Sequence, residues 1–287
     1  MERTMIRAID IHTHTSDQAH KEFLGEYGRF YEKYFGRPQR IISVDEQADM
    51  YRGLGMMFVL LALDAETNTG NPRISNEQVA EAAKRHGDVL IPFGSVDPWK
   101  GKYAVREVER CVNELGMKGM KFQQILQGFF PNDQRFYPLW EKCQELQVPL
   151  LFHMGTTGIG AGAPGGMGIK LKYAQPIPYL DDVAADFPEL RIIGAHPAWP
   201  WQEEMLAVCR HKANVYLDLS GWSPKYFSPS LIQYANTLLQ DKILFGSDFP
   251  AISPERWLQD FEQAPFRDEV RPKILLENAK RLLKLDV

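Results

Sequence analysis

The chain has 287 residues, and its 44% hydrophobic and 24% charged residues are typical of a globular protein with a sizeable core. Its formal net charge is −4, and the 33 basic residues form no block that would match a nucleic-acid backbone. We therefore expect a small-molecule substrate and no nucleic-acid partner.

Eight apolar runs recur along the chain, and segments with helical periodicity separate them. Their Val, Ile, Leu and Phe residues are typical of parallel strands that are covered on both faces. The predicted strands comprise residues 6–12, 56–63, 89–96, 119–123, 148–153, 190–196, 215–220 and 243–247. The predicted helices comprise residues 76–85, 103–115, 138–146, 177–187, 201–211, 229–239 and 254–261. This alternation predicts an α/β fold, a single-domain (β/α)8 TIM barrel over residues 1–287.

Two inserted loops interrupt the alternation, at residues 15–43 after the first strand and at residues 155–175 after the fifth. Both follow the carboxyl end of a strand, where barrel enzymes build their active sites. Residues 155–168 contain a Gly-x-Gly-x-x-Gly pattern, but Pro164 interrupts it and no helix starts directly after it. We therefore expect a lid or a ligand-contacting loop rather than a nucleotide-binding turn.

The first inserted loop mixes aromatic and basic residues, and two interpretations are open. The aromatic rings pack one helix face against the barrel, which is the commoner arrangement, or they cover an aromatic or acyl substrate. In the second case the basic residues would meet acidic parts of the substrate. The residues concerned are Tyr27, Phe30, Tyr31, Tyr34 and Phe35 together with Arg29, Lys33, Arg37 and Arg40.

No apolar run reaches the roughly 20 residues that a membrane span requires, and the first residues leave no room for an apolar signal region. We therefore expect a cytoplasmic protein without membrane contact. The odd number of cysteines, all in predicted helices, favours structural thiols in a reducing compartment. These are Cys111, Cys143 and Cys209.

Four histidines and an aspartate stand at the ends of predicted strands. His12 and His14 are two residues apart on an extended chain, so their side chains face the same side. His153, His196 and Asp248 each end an apolar run, which places them on the same rim of the barrel. The other three histidines are expected to be structural or exposed, because one lies in a loop and two end helices: His20, His86 and His211.

These motifs resemble those of the amidohydrolase superfamily, and more closely the amidohydrolase-2 branch related to aminocarboxymuconate-semialdehyde decarboxylase. The resemblance extends from DIHTH through GMKGMKF, LLFHMG, IIGAHP and LFGSDFP to ENAKRLL. It implies that His12, His14, His153 and Asp248 bind one divalent metal ion and that His196 is a catalytic group beside it. Imidazole and carboxylate donors make zinc the first choice, with manganese as the alternative.

Four further residues are predicted to bind the substrate. Lys121 lies near the end of the fourth strand, and the resemblance implies either a carbamylated lysine between two metals or, preferably, a ligand for a substrate carboxylate or phosphate. Gln123 lies on the same strand face. Trp199 and Trp222 follow the sixth and seventh strands, where each ring either lines the substrate pocket or only fills space at the rim of the barrel.

The main functional prediction is a metal-dependent hydrolase of a small carbonyl substrate, such as an ester, a lactone, or a β-keto acid or thioester of aromatic catabolism. Metal-activated water would attack the carbonyl, His196 would support the oxyanion and Asp248 would move the proton. The alternative is a metal-dependent nonoxidative decarboxylase of an aromatic or unsaturated carboxylic acid. A non-catalytic binding barrel is a third, less favoured hypothesis, and the resemblance makes a homodimer reasonable.

Overall fold

The computed structural model of the protein describes residues 6–36, 38 and 40–287, and its centre is one eight-stranded parallel sheet. Each strand pairs with the next one along the chain. The strands are β1 Ala8–His14, β2 Met56–Leu61, β3 Leu90–Ser95, β4 Gly119–Phe122, β5 Leu150–His153, β6 Ile192–Ala195, β7 Val215–Asp218 and β8 Ile243–Leu244.

Hydrogen bonds from β1 to the residues that follow β8 close the sheet into a barrel. The amide of Ile11 donates to the carbonyl of Phe245 at 3.0 Å, and the amide of Asp248 donates to the carbonyl of His12 at 2.9 Å. The backbone after Leu244 therefore bonds to β1, although β8 itself is shorter than the predicted strand over residues 243–247. The predicted (β/α)8 TIM barrel is confirmed.

Helices surround the barrel, and each predicted helix is present within a few residues of its expected bounds. The helices are α1 Gln18–Leu24, α2 Glu26–Phe35, α3 Val44–Gly53, α4 Glu66–Thr69, α5 Asn76–Arg85, α6 Lys102–Asn113, α7 Gln124–Gln127, α8 Tyr137–Glu145, α9 Tyr179–Asp186, α10 Gln202–His211, α11 Pro229–Ala235, α12 Pro254–Gln263 and α13 Asn278–Leu283. In the described part of the chain, no helix is long and apolar enough to cross a bilayer.

The segment after β1 is more regular than the predicted loop over residues 15–43, because it contains α1 and α2. Helix α3, which follows it, was not predicted although the sequence carries a start signal. Ser43 and Glu46 form a capping box, in which each side chain accepts a hydrogen bond from the other residue's amide. The segment after β5 is irregular as predicted, with short 3-10 turns at Pro164–Gly168 and Leu171–Ala174.

The core has two parts. Inside the barrel, side chains such as Ile9, Val59 and Leu151 pack together, and Leu282 of α13 joins them. A larger apolar layer fills the space between the strands and the surrounding helices. The three cysteines are all buried and free, as expected for structural thiols.

Candidate metal centre and active site

A cavity of about 200 Å³ opens at the carboxyl ends of the strands, and most of the predicted site residues line it. These are His12, His14, Lys121, Gln123, His153, His196, Trp222 and Asp248. Trp199, predicted to bind substrate, is not among the lining residues. Its side chain is 56% exposed at the rim, where its ring lies 6.1 Å from that of Trp222, centroid to centroid.

Strand β1 carries His12 and His14 into the cavity through a local irregularity. The pairing with β2 shifts register between Asp10 and Thr13. Ile9 and Ile11 pack inside the barrel, and His12 and His14, which follow with the opposite alternation, line the cavity. Such bulges commonly redirect side chains beside active sites.

The orientation of His12 is fixed by a buried carboxylate at the end of β7. His12 Nδ1 donates to Asp218 Oδ2 at 2.7 Å, which leaves the lone pair on Nε2. Nε2 lies 3.5 Å from both Lys121 Nζ and Asp248 Oδ1. Burial and the charge of Lys121 lower the pKa of His12 well below its ordinary value, so the ring is neutral.

His153 and His196 direct two more lone pairs toward each other. His153 Nε2 donates to the carbonyl of Thr156 and His196 Nδ1 donates to that of Ser220, both at 3.0 Å. The other nitrogens, His153 Nδ1 and His196 Nε2, are therefore acceptors, yet they lie 3.1 Å apart. Burial lowers the pKa of His196 to about 4, which disfavours a shared proton. A bound cation would remove this repulsion, so the donor set fits a metal ion.

Asp248 brings a carboxylate to the same place. Its Oδ1 lies 3.2 Å from His14 Nε2. One ligand atom each from His12, His196 and Asp248 lie within 4.8 Å of one another, so these three groups converge on one point. His14 adjoins this group through Asp248, and His153 adjoins it through His196. Burial favours the neutral acid, but the hydrogen bond with His14 and nearby charges lower the pKa of Asp248 overall.

The backbone at two of these residues is strained. His196 and Asp248 have φ values of 69° and 66°, in the left-handed region that costs residues with a Cβ atom about 1 kcal/mol or more. Gly221 lies against His196, where a Cβ atom would approach His196 Nδ1 to 2.7 Å. Such strain persists only where surrounding contacts enforce it, and it is concentrated at functional sites.

Lys121 brings a buried positive charge to the cavity. Its side chain is 1% exposed, and among the described residues no carboxylate lies within ion-pair distance of its Nζ. Burial lowers the pKa of Lys121 to about 7. A ligand carboxylate would supply the missing counter-charge. On the same strand face, the buried Gln123 has a side-chain oxygen without a hydrogen-bond partner.

The two inserted segments meet over the cavity. Tyr31, Tyr34 and Phe35 of α2 line it and cover the cavity, whereas Tyr27 of the same helix packs against the hydrophobic core. Phe35 lies so close to Gly158 of the second segment that a Cβ atom there would be 2.7 Å from its ring. Of the basic residues in the first segment, Arg37 lies outside the described residues.

Three residues at the site were not predicted to belong to it. Asp218 and Ser220 follow the apolar run of β7, the same signal that identified Asp248, and Ser220 donates to Asp218 from both its amide and its hydroxyl. Burial raises the pKa of Asp218, and these two hydrogen bonds oppose the rise. His20, expected to be structural or exposed, lies in α1 and lines the cavity. Burial lowers its pKa to about 4.

A family model described as Amidohydrolase matches residues 9–285. The chain belongs to this amidohydrolase family. It is an enzyme of the amidohydrolase superfamily, and the predicted resemblance to the amidohydrolase-2 branch is confirmed.

The chain is also similar to enzymes of known activity. Gamma-resorcylate decarboxylase from Polaromonas sp. (strain JS666) is 24% identical, over 86% of this chain and 87% of that protein. The 2-keto-4-carboxy-3-hexenedioate hydratase from Sphingobium sp. (strain NBRC 103272 / SYK-6) is 30% identical, over 50% of this chain and 47% of its own. A structure of dihydroxybenzoic acid decarboxylase from Polaromonas sp. JS666, with bound manganese and the inhibitor 2-nitroresorcinol, has a TM-score of 0.69 and 20% identity, over 98% of both chains.

The main prediction of a hydrolase is wrong. Relatives that match most of both chains are decarboxylases of an aromatic acid, and the alternative prediction agrees with them. The error has a chemical origin. A cluster of imidazoles and one carboxylate can hold a metal ion for hydrolysis or for decarboxylation, so the ligand set does not distinguish the two reactions.

Proposed function

We propose that the protein is a metal-dependent nonoxidative decarboxylase of an aromatic carboxylic acid, and that the whole chain is one such barrel. The observation that carries this proposal is the convergence of His12, His196 and Asp248 beside the unpaired ammonium group of Lys121, under a cover of aromatic rings. The full-length similarity to an aromatic acid decarboxylase supports it.

The residues present fit one divalent ion. His12, His14, His153 and Asp248 would hold it, with His196 beside it. His12 and His153 carry lone pairs on Nε2 and Nδ1, and His14 Nε2 lies 3.2 Å from Asp248 Oδ1. His196 Nε2 lies 3.1 Å from His153 Nδ1 and converges with His12 and Asp248, so it is close enough to be a further ligand. When bound, the ion would act as a Lewis acid that holds the substrate carboxylate and a neighbouring oxygen. The donor set suits both zinc and manganese, and the relative from Polaromonas binds manganese. Metal analysis should find one ion per chain, and two would support the carbamylated form of Lys121.

The reaction converts an aryl carboxylate and a proton into an arene and CO₂, without oxidation or reduction. Lys121 Nζ would pair with the carboxylate and orient it. Asp248 Oδ2, which lies on the side of Gly221, would deliver a proton to the ring carbon that bears the carboxylate. The electrons of the breaking carbon–carbon bond then restore the aromatic ring. A carboxyl group with a low pKa is a strong proton donor once protonated, and Asp248 can be reprotonated through its 20% exposed side chain.

A panel of hydroxybenzoates, including 2,6-dihydroxybenzoate, tests this proposal with metal-loaded protein. We expect CO₂ release and, in D₂O, deuterium at the carbon that carried the carboxylate. Lys121→Met should raise KM at least tenfold, since it removes the only buried ammonium group among the described lining residues. Lys118→Met, at an exposed position three residues earlier, is the matched control and should change KM little. Turnover without CO₂ release would contradict the proposal.

A second candidate is the addition of water to an unsaturated carboxylic acid. The observation that favours hydration is the 30% identity to a hydratase, which extends over 50% of this chain. The two candidates differ in their products. Hydration incorporates oxygen from H₂¹⁸O into the organic product and releases no CO₂, whereas decarboxylation releases CO₂ and leaves the product unlabelled.

A further inference from the structure

The imidazole of His20 lines the cavity without belonging to the group that converges on the metal position. Its Nδ1 is hydrogen-bonded to the carbonyl of Thr15, and its amide donates to Asp17 Oδ1 at 3.2 Å in the first turn of α1. The ring centroid lies 5.9 Å from that of His14. These contacts fix both the position of the residue and the orientation of its ring.

The hydrogen bond to Thr15 also fixes the tautomer of His20. A carbonyl oxygen only accepts, so Nδ1 carries the proton and Nε2 of the neutral ring carries a lone pair. The contacts of the described residues give Nε2 no partner. Gln123 Oε1, on another wall of the cavity, is a second acceptor without a donor. The cavity therefore combines one cation, Lys121, with acceptors that need hydrogen-bond donors from a ligand.

We propose that His20 Nε2 accepts a hydrogen bond from a hydroxyl group on the substrate's aromatic ring, and so selects hydroxylated over unsubstituted or alkoxylated aromatic carboxylates. The inference rests on the proposed function and identifies the substrate class of the same site. A hydroxyl group that donates to an imidazole releases more electron density into the ring. Protonation of the ring carbon ortho or para to that hydroxyl group then becomes easier.

Two substitutions separate this role from a structural one, because each retains one nitrogen's function. In His20→Asn the amide nitrogen can replace Nδ1 and donate to Thr15, but the acceptor toward the cavity is lost. In His20→Gln the side-chain oxygen can replace Nε2, but the donor to Thr15 is lost. A structural role and a recognition role therefore predict opposite results for the same pair of variants.

The experiment measures binding of 2-nitroresorcinol and of its dimethyl ether to metal-loaded protein by calorimetry. The wild type should prefer the phenol, and His20→Asn should weaken phenol binding by about 3- to 10-fold, the range of one neutral hydrogen bond, with little effect on the ether. His20→Gln should keep most of the preference. Melting temperatures of both variants report their folding.

Three results would overturn the proposal: no preference for the phenol in the wild type, an equal loss for both probes in His20→Asn, or a loss confined to His20→Gln. Binding requires no turnover, so the outcome is separate from the test of the reaction. A hydroxyl preference that depends on His20, together with no CO₂ release from any hydroxybenzoate, would refute the decarboxylase proposal and leave this inference standing.

Discussion

The hydrogen bond between Asp218 and His12 offers a direct test of the metal centre. Asp218 is fully buried and accepts three hydrogen bonds, from His12 Nδ1 at 2.7 Å, from the Ser220 amide at 2.8 Å and from the Ser220 hydroxyl at 2.7 Å. Asp218→Asn keeps the shape of the side chain and replaces one acceptor oxygen by an NH₂ group. The new NH₂ group must then face either the Ser220 amide or His12 Nδ1. Both of these are donors, so one hydrogen bond is lost.

The magnitude follows from the role of such carboxylates in metal sites. A carboxylate that accepts from a metal-binding imidazole fixes its tautomer and raises its basicity, and its loss typically weakens metal binding about 10- to 100-fold. This range corresponds to about 1.4–2.7 kcal/mol of binding free energy. We expect Asp218→Asn to raise the dissociation constants for Mn²⁺ and Zn²⁺ by about 10- to 100-fold.

Competition with a chromophoric chelator measures these constants on purified protein stripped of metal. Asp49→Asn, on the exposed face of α3, is the matched control and should leave them unchanged. A dissociation constant within twofold of the wild-type value for Asp218→Asn, in a variant that melts normally, would refute the assignment of His12 as a metal ligand oriented by Asp218.

Three further predictions concern stability and reactivity. Gly246→Ala should lower the melting temperature by several degrees, because its Cβ atom would lie 2.3 Å from Asp218 Oδ1, whereas Gly53→Ala, with open space around it, should not. For His20 the folded-state pKa of about 4 lies below the ordinary value of 6.5, so its contribution to stability is complete above pH 6.5 and is lost as the pH falls from 6.5 toward 4. Urea denaturation of metal-free protein at pH 7.5 and pH 5 should therefore show a smaller loss of stability for His20→Asn than for the wild type. The three cysteines should react with a thiol reagent only after unfolding, because burial raises the pKa of each thiol.

The barrel was predictable because each strand carries its own signal. Strands buried on both faces read as continuous apolar runs, and the helices between them show the complementary periodicity. The first inserted segment carries a signal that is open to two interpretations. The aromatic residues of α2 have the spacing of one helix face, but α2 has no fully buried residue, and its rings are divided between the core and the cavity. Helix α3 was predictable, because Ser43 and Glu46 form a capping box that marks its start, but the prediction did not use this signal.

The candidate site was predictable where a polar residue ends a strand. That rule predicts that His153, His196 and Asp248 lie on one rim, and applied to β7 it also identifies Asp218. It fails for residues supplied by loops and insertions. Trp199 follows β6 as Trp222 follows β7, yet only Trp222 reaches the cavity. The difference depends on backbone turns after each strand that residue types do not reveal.

The choice between reactions depends on the residues that surround the metal position rather than on its ligands. The cluster of imidazoles and a carboxylate is compatible with attack by water on a carbonyl and with loss of CO₂ from an arene. In the proposals made here, substrate recognition depends on a buried ammonium group at Lys121, an acceptor at His20 Nε2, and the aromatic cover from α2. Two of these three come from the segment inserted after β1. Changes in that segment would alter the substrate while the barrel and its metal ligands stay the same, because the insertion contributes to the cavity without forming part of the closed sheet.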